Sequence, residues 1–287
     1  MRRVANAFAK VNFTLEVLGS RPDGYHDLRS LVVPVSLADE VCVEDADETS
    51  CEMPGFAENV PQEKNLAVKA VRLLQSIAGV KREAKIIINK KIPSGGGLGG
   101  GSADAAAVLN ILNEEWNCGF SKTELAAYSA AVGSDVPALV LGGAVLMEGR
   151  GERVSPFVGG DFALHLALAR PNVFASTPAV FKKCAISRLQ SDGEILYNMH
   201  RSIRSKDADC IADALHNDLC EAAMELHPEI ARAVSDLQRA AGRRATMSGS
   251  GAAVFTVGRN AAETEAMAKC MEELGYEAWN VRTCPVM

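Results

Sequence analysis

The sequence predicts an α+β protein of two domains, on three observations. The chain has 287 residues, enough for two domains at roughly 150 residues each. Strand-like alternation and helix-like periodicity both recur along it, without the strict β-α-β order of a doubly wound sheet. Hydrophobic residues make up 48% and charged residues 23%, which excludes a disordered chain and supplies a core that needs no disulfide or metal staple.

Taken in order, residues 12–18 alternate polar and apolar as a strand does, and Arg21-Pro22-Asp23-Gly24 is a turn. Strand-like segments follow at 28–35 and 40–44. Residues 64–78 form a helix with Leu66, Ala70, Leu73, Leu74 and Ile77 on one side and Gly79 as its stop. Residues 84–92 read as a strand that runs into a glycine-rich loop, and the alanine-rich stretch 102–116 as a helix. Ser121 and Glu124 have capping-box spacing for a helix ending at Gly133. A strand at 143–148 and a turn at 149–152 complete the first domain, residues 1–157. The boundary falls near Pro156 to Gly160. The second domain, 158–287, reads as strand 162–169, a helix from Thr177 with Pro178 at its first position, helices through 206–241, strand 252–257, a helix capped by Asn260 and Glu263 and closed by Gly275, and a last strand 276–282.

Composition also excludes functions. With 36 acids, 30 bases and a net charge of −6, the chain lacks the basic excess that drives non-specific nucleic-acid binding. The eight cysteines form no Cys-x-x-Cys pair and the five histidines no His-x-x-x-His pair, so free thiols in a reducing cytosol are expected and no metal ligands are assigned. Asn6, Lys10 and Asn12 interrupt any apolar core near the N-terminus, which therefore fails as a signal peptide, and no stretch is long enough to span a membrane.

Six of the 24 glycines fall within residues 95–101. Such clustering lets backbone N–H groups converge on one point, and the helix that follows adds its own free N–H groups and the positive end of its dipole. A phosphate site is the natural reading, with Ser102 as helix N-cap and its hydroxyl placed to meet a phosphate or its magnesium. No lysine precedes Ser102, so this is not a Walker A loop. Gly95, Gly97 and Gly100 satisfy the dinucleotide fingerprint, but no acid stands at the end of a following strand.

The pattern Pro93-x-x-x-Gly97-Leu98-Gly99-x-x-Ser102-x-x-Ala105 resembles the second motif of the GHMP small-molecule kinases. Ala9-Lys10-Val11-Asn12 is similar to their first motif and Ser248-Gly249-Ser250-Gly251 to their third. Asp23 to His26, Asn65-Leu66, Gly133 to Pro137, and Ser176 to Pro178 with Phe181 narrow the resemblance to a branch acting on a cytidylyl-linked polyol. The resemblance covers nearly the whole chain. It implies a ribosomal-protein-S5-domain-2-like ATP-binding domain followed by a ferredoxin-like substrate domain. It also implies ATP and Mg²⁺ as requirements, and as small-molecule partner 4-diphosphocytidyl-2-C-methyl-D-erythritol, phosphorylated on its 2-hydroxyl. A cytoplasmic monomer or weak homodimer is expected, with no nucleic-acid or membrane partner. The alternatives are another GHMP kinase, acting on homoserine or mevalonate, and a non-catalytic ligand sensor on the same fold.

By the same resemblance Asp135 is the base and Lys10 its partner, although alone Asp135 could cap a helix and Lys10 could be a solvated strand residue. Asn65, Leu66, Pro93, Ser94, Gly95, Gly96, Gly97, Leu98, Gly99, Gly100, Gly101, Ser102 and Ala103 would hold the nucleotide; Asn65 could equally be an ordinary helix cap. Tyr25 and Phe181 would stack on the cytosine with His26 hydrogen-bonding it, and Asn12 and Thr177 would contact the rest of the acceptor. Bare, Tyr25 and His26 could simply pack a hairpin, and Gly249 to Gly251 could be an ordinary turn. Asp104, in the first turn, favours the helix dipole and needs no catalytic role. Ala103 stands where many relatives have a second serine, and Val32 where they often have an aromatic.

Overall fold

The computed structural model describes residues 2–58, 60–159, 162–184 and 193–284. The first half is built on a long antiparallel pair, β1 (Arg2–Ser20) and β2 (His26–Ala46). The turn predicted at 21–24 joins them, with Gly24 N–H donating to the Arg21 carbonyl at 3.1 Å. The two strands expected at 28–35 and 40–44 are one, because Ala38 and Asp39 in the supposed gap also pair with β1. Pro34, which has no N–H to give, sits opposite Lys10 where the register shifts.

β3 (Ser50–Glu52) leads to α1 (Leu66–Ala78), which Gly79 closes, and then to β4 (Glu83–Asn89). Next come α2 (Gly100–Glu115), α3 (Lys122–Ser129), α4 (Val136–Leu141), β5 (Val145–Gly149) and β6 (Arg153–Pro156). The capping box of Ser121 and Glu124 is formed, but α3 stops short of Gly133. In the second half β7 (His165–Arg170) is followed by α5 (Thr177–Lys183), α6 (Glu194–Ser205), α7 (Ala208–Ala214), β8 (His216–Asn217), α8 (Cys220–Leu226) and α9 (Pro228–Ala241). β9 (Thr246–Met247), β10 (Val254–Gly258), α10 (Ala261–Glu273) and β11 (Glu277–Arg282) complete it. Asn260 caps α10 as expected, its side chain accepting from Glu263 N–H.

Two sheets organise the described residues. The first runs β3-β4-β2-β1-β8, with β5 on β2 and β6 on β5; the second runs β11-β7-β10-β9. In chain order the second sheet reads fourth-first-third-second, the ferredoxin-like arrangement, and α9 and α10 pack on it. The predicted boundary near Pro156 to Gly160 falls between β6 and β7, with Gly160 outside the described residues. One core bridges that boundary: Phe13 of β1 stacks on Phe255 of β10 with centroids 5.9 Å apart, and β8 joins the first sheet beside β1. This continuous apolar contact fixes the cleft between the halves.

Candidate active site

From Lys10 to Phe13 the side chains of β1 alternate, so Val11 and Phe13 enter the core while Lys10 and Asn12 take the other face; a register shift between Asn12 and Thr14 then brings Leu15 to the cleft side. That face is also buried, and its polar groups are chained together. Lys10 Nζ donates to Asn12 Oδ1 at 2.8 Å, Asn12 Nδ2 to Ser30 Oγ at 2.8 Å, and Ser30 Oγ to the Thr14 carbonyl at 2.6 Å. With both ends of its amide engaged, Asn12 serves to hold Lys10.

Asp135 stands at the N-cap position of α4, yet its side chain makes no capping bond. The cause is backbone geometry: φ −87° and ψ −13° are helical values, whereas a capping side chain reaches the N2 or N3 amide from an extended N-cap residue. The carboxylate turns instead toward β1, where Oδ2 lies 3.3 Å from Lys10 Nζ. Of the two sequence readings of Asp135, the cap is thereby excluded and the pairing with Lys10 is formed.

The glycine loop is stitched into place from both halves. Lys10 N–H donates to the Leu98 carbonyl at 2.9 Å, Ala253 N–H to Gly96 at 3.0 Å, and Ser248 Oγ to Gly97 at 3.0 Å. All three sequence motifs therefore meet at one point. Gly97 is obligatory there, because its φ is +70° and a Cβ would stand 2.1 Å from the Ser248 carbonyl oxygen. The helix begins earlier than expected: Gly99, not Ser102, is the N-cap of α2, because Ala103 N–H already bonds to the Gly99 carbonyl at 2.8 Å. Ser102 lies in the first turn and faces the cleft. The N–H groups of Gly100, Gly101 and Ser102 have no intrahelical carbonyl, and such a cradle suits a polyphosphate.

A cleft of about 890 Å³ gathers most of the predicted residues: Lys10, Asp135, Gly95, Gly97 and Ser102 with Leu66 at one end, Tyr25, His26, Thr177 and Phe181 at the other. Asn12 and Gly249 to Gly251 line it as well. Pro93, Ser94, Gly96, Gly99, Gly100 and Gly101 form the rest of the loop and the start of α2, with Gly101 exposed, while the Leu98 and Ala103 side chains are buried in the core. Asn65 is the cap of α1, accepting from Ala67 N–H at 2.9 Å, and does not line the cleft. Val32, with Ala138, Val145 and Met147, forms a small buried cluster.

The aromatic end departs from expectation. His26 stacks on Phe181, with centroids 5.0 Å apart and planes 22° from parallel, so the imidazole itself covers a face of Phe181. Two flat rings on adjoining elements bury apolar area by this contact. Tyr25 carries the Arg150 guanidinium over its ring, 5.0 Å from the centroid. Arg150, Lys182 and Phe174 are lining residues that the sequence reading missed. Arg150 lies in the 149–152 turn, where a charge ordinarily signals only solvent.

Residues 65–143 match the family model described as the GHMP kinases N terminal domain, and residues 199–277 that of the GHMP kinases C terminal. The chain belongs to the GHMP kinases. As a GHMP kinase it carries out ATP-dependent phosphotransfer to a small molecule. It is 39% identical to a Symbiobacterium thermophilum protein named 4-diphosphocytidyl-2-C-methyl-D-erythritol kinase, over 96% of this chain and 97% of that one. It is 37% identical to one of the same name from Brevibacillus brevis, over 90% of this chain and 88% of that one. A crystal structure named 4-(cytidine 5'-diphospho)-2C-methyl-D-erythritol kinase superposes on this GHMP kinase with a TM-score of 0.81 at 30% identity, covering 99% of each chain. A homoserine kinase from Cytophaga hutchinsonii, at 15% identity and a TM-score of 0.76, shares the fold.

Proposed function

We propose that this kinase transfers the γ-phosphoryl group of ATP to the 2-hydroxyl of 4-diphosphocytidyl-2-C-methyl-D-erythritol, giving the 2-phosphate and ADP in the methylerythritol phosphate route to isoprenoids. The observation that supports it most is the Lys10–Asp135 pair at 3.3 Å, set between a glycine cradle and an aromatic pocket in one cleft. The bond from the γ-phosphorus to the bridging oxygen breaks and a new one forms to the acceptor oxygen. A loose transition state needs alignment and charge stabilisation more than early proton removal. Asp135 orients the hydroxyl and takes its proton late; Lys10, held by Asn12, orients Asp135 and balances charge near the transferring group. The glycine loop from Pro93 and the first turn of α2 hold the phosphates, beside Leu66.

Ser102, which faces the cleft from the first turn of α2, would be the hydroxyl placed to meet a phosphate or its magnesium, and that ion, when bound, would supply charge neutralisation on the phosphates. Tyr25, His26, Phe181, Thr177 and Arg150 bind the cytidylyl acceptor. Base stacking tolerates any base, so choice of cytosine falls to their hydrogen bonds. The division at 157/158 is kept, with the first domain carrying the glycine loop together with Tyr25, His26 and Arg150 and the second adding Thr177 and Phe181 to the acceptor end of the cleft. A cytoplasmic monomer or weak homodimer without nucleic-acid partners accords with eight free thiols and the acidic charge balance. No helix among the described residues is long and apolar enough to cross a membrane.

The test is ADP release from ATP and Mg²⁺ with the cytidylyl substrate, homoserine and mevalonate offered separately. Turnover is expected only with the first, and Asp135→Asn should lower kcat by roughly 10² to 10⁴. Turnover with another alcohol would discard the cytidylyl pocket. No turnover with any acceptor would favour a ligand sensor.

A further inference from the structure

Beneath the glycine loop lies a buried ionic cluster that makes no contact with the cleft. Asp39 of β2 accepts from the N–H groups of Lys91 and Ile92 through Oδ1, at 2.5 and 2.8 Å, and from Lys90 Nζ through Oδ2, at 2.5 Å. Lys90 Nζ donates also to Asp104 Oδ2 on α2, at 2.7 Å. Asp104 Oδ1 is buried without a hydrogen-bond partner among the described residues, while Oδ2 is tied to the incoming strand through Lys90. The two ends of the loop also touch: a Cβ on Gly100 would lie 3.0 Å from Ile92 Cγ2 and 3.4 Å from Lys90 Nζ.

We infer that Asp39, Lys90 and Asp104 are positioning residues for the nucleotide: they weld the strand that enters the glycine loop to the helix that leaves it, and so preform the phosphate cradle. Two physical points carry this. A buried ion cluster contributes little net stability, since desolvation offsets the attraction, and it is best explained by the geometry it imposes. A loop of six glycines in seven residues has much backbone freedom to lose, and a nucleotide that had to order it would bind more weakly. Fixing both ends removes most of that cost before ATP arrives. The inference rests on the loop being the ATP site.

The test compares the full chain with Asp104→Asn, with the uncharged triple variant Asp39→Asn/Lys90→Met/Asp104→Leu, and with Leu112→Ala, a cavity control further along α2. Readouts are direct binding of ATP by titration, KM for each substrate, kcat and Tm. Both cluster variants should raise the dissociation constant and KM for ATP roughly tenfold or more, with kcat and the acceptor KM within about twofold. The control should lower Tm and leave the ATP constants alone. The triple variant removes every charge of the cluster at once, a replacement folds are known to tolerate, so the comparison survives if the single variant is unstable. Unchanged ATP affinity in folded cluster variants would overturn the inference and make the cluster merely structural. Absence of ATP binding by the unaltered chain would instead overturn the proposed function.

Discussion

At the glycine end of the cleft the wall is backbone: amides and carbonyls of residues 95–99, tied to Lys10, Ser248 and Ala253 and anchored underneath by buried charges. At the opposite end the wall is side chain: Tyr25, more than half exposed, under Arg150, and His26 lying on Phe181. The first end has little room to adjust, because a methyl group at Gly97 would collide with main chain rather than with a movable group. The second is made of groups that can rotate. A phosphate chain presents the same oxygens in every ATP, so a rigid cradle suits it. A cytidylyl polyol must be distinguished by its edges, which adjustable hydrogen-bonding side chains do better.

The harshest way to break the comparison is Gly97→Ala. A left-handed φ of +70° and the Ser248 carbonyl 2.1 Å from the new Cβ both oppose the substitution. Stability should fall by roughly 1–3 kcal/mol from each source, and the altered loop should lose most ATP binding. Denaturation midpoints and ATP titration measure the two effects. A fully active, equally stable Gly97→Ala protein would show that the loop is not the rigid element.

A milder change at the other end should separate the substrates. Phe181→Ala removes one stacking face, worth roughly 1–3 kcal/mol to a bound base, so KM for the cytidylyl acceptor should rise about five- to a hundredfold. KM for ATP and the thermal midpoint should stay nearly constant, because Phe181 sits on the rim of the second core rather than within it. Equal changes in both KM values would mean that the two ends are not independent.

These contrasts explain what could be read from the sequence. The glycine loop between a strand and a helix was legible because its requirements are local: a strand, a run of glycines and a helix start are contiguous in the chain. Lys10 and Asp135 were legible only through the resemblance, since their meeting depends on β1 and α4 being brought together by the core. The N-cap at Gly99 was misplaced to Ser102, because side-chain preference argues for serine while the glycine run lets the helix start a turn sooner. Arg150 over Tyr25 and His26 on Phe181 join residues 125 and 155 positions apart, and no local pattern records such contacts. Asp104 reads from sequence as a dipole-favoured residue on a helix; its burial against Lys90 and Asp39 depends on β2, and on the residue that follows β4, being brought against α2.

That cluster also supplies the smallest effect and a signature in pH. Burial pushes the Asp104 carboxyl up from the ordinary 3.8 to about 7, against the opposing pull of Lys90 and with a further push from Asp39; the Cys51 thiol also faces it. The folded state thus holds this proton more tightly than the unfolded chain does. Between about pH 4 and 7 the folded protein binds more protons at this site, so its contribution to stability is present in full below that window and is lost as pH rises through 7. An asparagine does not titrate. The thermal midpoint of the unaltered chain relative to Asp104→Asn should therefore decline from pH 4 to pH 8, with the slope vanishing above that. A pH-independent difference would mean that Asp104 is ionised throughout. If the decline is found together with weaker ATP binding by Asp104→Asn at pH 8, the same charge would be costing stability while holding the cradle, which a purely structural ion pair does not do.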